Sequence, residues 1–108
     1  MKGNNSSVVH GVLQDELERN RRMQSRYRKE IDQLPKGALY LRKINQHQYY
    51  YLNYRENGKV VAKYLGKYEA VDVENMRKKL SERKHYEELL KKLNNEESML
   101  TKALRYIV

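Results

Sequence analysis

The sequence predicts an α+β fold: a long helix, a three-stranded antiparallel β-meander and a second long helix, with the helices paired as an antiparallel coiled-coil hairpin. Three observations predict it. Residues 13–34 repeat apolar side chains at heptad spacing, residues 38–66 alternate around an Asn57-Gly58 turn, and heptad spacing resumes towards residue 107.

Residues 1–7 (MKGNNSS) are polar and are expected to be disordered, with Ser7 as a helix N-cap. The first helix is expected over 8–34. Leu13, Leu17, Asn20, Gln24, Tyr27, Ile31 and Leu34 follow a 4-3 spacing that is apolar at both ends and polar in the middle, a seam with a wet centre. Pro35 ends the helix and Lys36-Gly37 turn the chain.

The meander is expected over 38–66, with strands Ala38–Ile44, Gln48–Arg55 and Lys59–Leu65. Asn57-Gly58 supplies the two positive φ values of a type I′ hairpin. That turn pairs Arg55 with Val60, Tyr54 with Val61, Leu52 with Lys63 and Tyr51 with Tyr64. For the first turn, a two-residue loop at Gln46-His47 would pair Leu41 with Leu52. This register places Leu39, Leu41, Tyr50, Leu52, Tyr54, Val61 and Leu65 on an apolar face, with Lys43 and Lys63 at its margins. The opposite face carries Tyr40, Arg42, Ile44, Tyr49, Tyr51, Asn53, Arg55, Val60, Ala62 and Tyr64, a composition suited to a wet contact surface.

Gly66 closes the sheet, and the second helix is expected over 70–107 with Asp72 as N-cap. Its first stripe is Val73, Met76 and Leu80. After a phase shift, Tyr86, Leu90, Leu93, Glu97, Leu100, Leu104 and Ile107 resume the heptad. Residues 8–108 then form a single domain. Folding the helices back places Leu34 near Ala70 and Leu13 near Lys91. The second helix is about 57 Å long against about 40 Å for the first. From about Lys92 onward it is expected to lack a partner in the same chain. Its stripe of Leu93, Leu100, Leu104 and Ile107 would be buried in a homo-oligomer, most simply a homodimer, unless Val8, Val9 and Val12 cover part of it.

Several classes of function are set aside. There is no cysteine, and His10, His47 and His85 stand isolated, so neither thiolate zinc nor a histidine metal site is expected. No phosphate-binding glycine loop, nucleophile elbow or clustered carboxylate pair occurs. The reading is a non-enzyme with no cofactor. No apolar run approaches the roughly 18 residues of a membrane span, and the N-terminus lacks a signal-peptide core, which points to a cytoplasmic protein.

The charge is informative. Lysine plus arginine number 23 against 14 acids, a formal +9. Residues 35–68 carry seven basic side chains and only one acid, Glu56, so most of the excess lies in the meander. The helices add two clusters: Arg19, Arg21, Arg22, Arg26, Arg28 and Lys29, and Arg77, Lys78, Lys79, Arg83 and Lys84. Antiparallel pairing puts Arg26–Lys29 level with Arg77–Lys79 near the sheet, a convergence that favours a phosphate-backbone footprint. The expected nucleic-acid contacts are Arg42, Tyr49, Tyr51, Asn53, Arg55 and Tyr64 on the sheet, with Arg26, Lys29, Arg77 and Lys78 on the helices. For the tyrosines, base stacking competes with ordinary cross-strand packing.

The stretch Leu34-Pro35-Lys36-Gly37, then Tyr49-Tyr50-Tyr51-Leu52-Asn53-Tyr54-Arg55-Glu56-Asn57-Gly58-Lys59-Val60 and Lys63-Tyr64-Leu65-Gly66-Lys67, resembles a small family of Gram-positive bacteria, their phages and mobile elements. It is also similar to the N-terminal meander of some insertion-sequence transposases. The resemblance covers about a third of the chain. It implies a β-meander in a mobile-element setting and no established activity. The expected role is therefore that of a nucleic-acid-binding accessory or regulatory protein of a phage or mobile element. The competing expectations are a protein-interaction module, such as a phage inhibitor docking on a host nucleoprotein, and a structural coiled-coil homo-oligomer.

Overall fold

The computed structural model describes residues 2–106, with side chains from residue 8 onward. The order is helix α1 (Lys2–Gln33), strands β1 (Ala38–Ile44), β2 (His47–Glu56) and β3 (Lys59–Lys67), and helix α2 (Val73–Tyr106). This is the α+β arrangement of two helices flanking, in sequence, a three-stranded antiparallel meander of order β1-β2-β3. Helix α1 begins six residues before the expected Val8 and runs through Ser7, which therefore does not bound it. Met1, the first residue of the expected disordered N-terminus, and Ile107 lie outside the described residues. The chain divides into two compact units. Residues 1–32 and 85–108 form a helical unit, and residues 33–84 form a sheet unit.

In the helical unit α1 and α2 run antiparallel. The Tyr27 and Tyr86 rings meet at 5.5 Å, while seven residues earlier in α1 and seven later in α2 Asn20 Nδ2 donates to the Leu93 carbonyl at 2.9 Å. The seam buries Leu17 and Leu93, and its centre is polar as the heptad predicts: Asn20 is 1% exposed and Gln24 3%. Burying an unpaired amide costs about 1–3 kcal/mol, so these groups need partners. Gln24 Nε2 donates to Asn20 Oδ1 at 2.6 Å and to Glu97 Oε1 at 3.2 Å, and Arg21 Nε donates to Glu97 Oε2 at 2.8 Å. Arg28 donates to Gln24 Oε1 at 3.0 Å. No buried side-chain nitrogen or oxygen is left without a partner among the described residues.

The helical register corrects one expectation. Leu13 was to lie beside Lys91, yet Asn20 meets Leu93, a displacement of roughly two and a half turns. The physical reason is the polar network: Asn20 finds a partner at Leu93 and Gln24 at Glu97. Leu93 is buried within its own chain, and Leu100 and Leu104 are half-buried. The idea that α2 lacks an intrachain partner from Lys92 onward therefore fails at Leu93 and Glu97. The level pairing of Arg26–Lys29 with Arg77–Lys79 rested on the other register and loses that support.

The sheet unit follows its turn chemistry. Asn57 and Gly58 both have positive φ, and β2 pairs with β3 as expected from Glu56↔Lys59 to Tyr51↔Tyr64. The first turn differs: Asn45 and Gln46, not Gln46 and His47, take positive φ, so Leu41 pairs with Tyr50 instead of Leu52. Asparagine tolerates the left-handed region better than glutamine at the first turn position. The slip is two residues, an even number, so each side chain keeps its face. At Gly37, φ is +110°, and a Cβ would overlap the Asn53 carbonyl, so the entry to β1 requires glycine. Asp72 caps α2: its carboxylate accepts from the Asn75 amide at 3.0 Å. Leu52 and Tyr50 are buried on the apolar sheet face, while Leu41 on that face is exposed.

Candidate nucleic-acid interface

The second sheet face is assembled by register. Tyr40, Tyr51 and Tyr64 form one cross-strand row, since Tyr51 is opposite both others. The next row is Arg42, Tyr49 and Lys67. Lys67 arrives there through a β-bulge. Tyr51 pairs with Tyr64 but Tyr50 pairs with Gly66, which leaves Leu65 as an extra residue. Strict alternation would send Lys67 to the apolar face, and the extra residue reverses it. Towards the Asn57-Gly58 turn the face continues through Asn53 opposite Ala38 and Ala62, then Arg55 opposite Val60.

The tyrosines lean on one another. Tyr51 meets Tyr64 edge to face at 5.5 Å and 64°, and Tyr49 meets Tyr64 at 6.1 Å and 53°. His47 extends the cluster, 6.5 Å from Tyr49. Tyr40 and Tyr64 remain about half exposed, and Arg42 and Arg55 are exposed. None of the strand residues on this face is acidic; Glu56 falls on the other face opposite Lys59. An open depression of about 730 Å³ at the end of the sheet shares Tyr49 and Lys67 with the cationic row.

Of the expected contacts, the structure brings together Arg42, Tyr49, Tyr51, Asn53, Arg55 and Tyr64. Arg77 and Lys78 are exposed on α2 within the same unit. Arg26 and Lys29 are exposed on α1 in the helical unit, where the Arg26 guanidinium lies 5.5 Å from the Tyr27 ring. Sequence reasoning missed Tyr40 and Lys67 as site residues. Tyr40 was legible from alternation, whereas Lys67 depends on a bulge that no residue pattern announces.

Glu97 is held in its ionised form by its neighbours. The hydrogen bond from Arg21, then that from Gln24, holds its carboxyl below the usual glutamate range. It serves the helical seam and not the sheet face. Among the described residues no cluster of three or more His, Cys, Asp or Glu is placed to hold a metal ion, and no helix is long and apolar enough to cross a membrane.

A family model described as a domain of unknown function (DUF6788) matches residues 13–75, more than half of the chain. The match covers most of α1, the whole meander and the start of α2. No curated protein and no solved structure matches the chain.

Proposed function

The chain belongs to the DUF6788 family, and for it we propose nucleic-acid binding through the tyrosine and arginine face of the sheet, in an accessory or regulatory role in a phage or mobile element. The observation that carries the reading is the pair of adjacent rows, Tyr40–Tyr51–Tyr64 and Arg42–Tyr49–Lys67, on a solvent-facing sheet with no acid among its strand positions. Aromatic side chains supply large, sequence-tolerant contact area, and unpaired cations supply attraction to phosphates. Among the described residues neither Arg42 nor Lys67 forms an ion pair that would occupy it. The mobile-element setting rests on the resemblance of the meander alone.

The test is fluorescence anisotropy with duplex and single-stranded oligonucleotides. Binding below ~10 μM at 50 mM salt, weakening steeply at 200 mM, is the expected result, because phosphate contacts release counterions. Absence of binding to either form at the lower salt would reject the reading.

Self-association is a second reading, favoured by exposed apolar residues in the helical unit: Val8, Val12 and Met99 are 67%, 57% and 71% exposed. It no longer needs Leu93, which is buried within the chain. Light scattering at ~100 μM tests it, since a monomer at that concentration would reject a dimer of functional affinity.

A further inference from the structure

We infer that the partner of this face is B-form duplex DNA, entered through the major groove, with β2 facing the base edges and β1 and β3 facing the two phosphate walls. The inference rests on the nucleic-acid reading and narrows it.

Three observations carry it. The first is width. Arg42 on β1 and Lys67 on β3 are both opposite Tyr49 on β2, one on each outer strand. Strands about 4.8 Å apart put their backbones about 10 Å apart, with the side chains reaching further. The major groove of B-DNA is about 12 Å wide, so cations on the two outer strands match its two phosphate walls. A-form RNA has a narrow, deep major groove that excludes such a sheet.

The second is the chemistry of the central strand. Tyr49, Tyr51, Asn53 and Arg55 share one face of β2 at successive alternate positions. The asparagine amide matches the N6 and N7 edge of adenine, and the arginine fork matches the O6 and N7 edge of guanine. Acids on this face would be repelled by the flanking phosphates, and it has none.

The third is ring orientation. A stacking platform for unpaired bases needs free ring faces. Here Tyr64 is flanked by Tyr49 at 53° and Tyr51 at 64°, so these three rings are tilted against one another and are not laid out as a parallel platform. Their hydroxyls can hydrogen-bond to phosphates and base edges.

The experiment compares a 30-base-pair duplex pool with a randomised centre against the same pool as single strands, at 100 mM salt. Duplex should bind about tenfold or more tightly, and selection should enrich a short motif. Asn53→Ala and Arg55→Ala should each lower the preference for the enriched motif over random duplex by about tenfold while leaving the random-duplex salt slope in place. Tyr51→Phe with Tyr64→Phe keeps the rings and removes only the hydroxyls. Groove docking predicts several-fold weaker duplex binding, whereas stacking predicts no change. Equal or tighter single-strand binding, with the Phe variant unaffected, would overturn the duplex inference and leave nucleic-acid binding standing. Failure of both forms to bind would remove both readings together.

Discussion

The helical unit and the sheet unit use polar side chains in opposite ways. In the helical seam Asn20 and Gln24 are almost wholly buried, and each donates across to α2, Asn20 to the Leu93 carbonyl and Gln24 to Glu97. On the sheet, Arg42 and Arg55 stand in solvent. Buried amides cost stability unless satisfied, so the seam fixes which residues of α1 and α2 meet. Exposed cations cost little and are free for a partner. The contrast gives the seam a register-setting role and leaves the sheet face open for the recognition proposed above.

Substitutions in the two units should separate these roles. Gly37→Val in the sheet unit combines a left-handed backbone with an overlap against the Asn53 carbonyl. It should cost about 3 kcal/mol or more, read from chemical denaturation. Asn20→Ala in the seam strips Gln24 and the Leu93 carbonyl of a shared partner and should cost about 2 kcal/mol. An unchanged denaturation midpoint would mean the polar centre does not set the register. Gly58→Val strains the second hairpin, but open space surrounds that position, so the loss should be smaller, about 1–2 kcal/mol. Replacing Arg42 and Lys67 by Gln should leave stability within about 0.5 kcal/mol, as for other exposed sites.

Acidity sharpens the comparison further. The folded-state pKa of Glu97 is lowered, so its contribution is complete above the usual glutamate range and fades as pH falls through the folded value. Thermal stability should thus hold from neutral pH down to that range and then decline. Glu97→Gln should remove the part of this acid sensitivity that Arg21 and Gln24 create. An identical decline in the variant would assign it to other carboxylates.

How far the fold was legible follows the same division. Heptad spacing located both helices and the wet seam, and Asn57-Gly58 fixed the second hairpin. At the first turn asparagine again takes positive φ, at Asn45, but Gln46 and not glycine follows it, so the Asn-Gly signal that fixed the second turn is absent there. The faces survived that slip because it was even. The helical register was not legible: the expected pairing of Leu13 with Lys91 came from folding the helices back at the meander, and the nine-residue displacement appears only in the three-dimensional pairing of Asn20 with Leu93. The bulge at Leu65 left no mark in the alternation, so Lys67 was missed at the site.

On the proposed reading, the sheet face binds a polyanion through cations on its two outer strands. The most direct measurement is the slope of log affinity against log salt on duplex DNA for the wild type and for the Arg42→Gln, Lys67→Gln double variant. Each phosphate contact contributes about 0.9 to the slope, so the double variant should flatten it by just under 2 units with its melting temperature retained. An unchanged slope in a folded variant would contradict the account and place the contacts elsewhere on the chain.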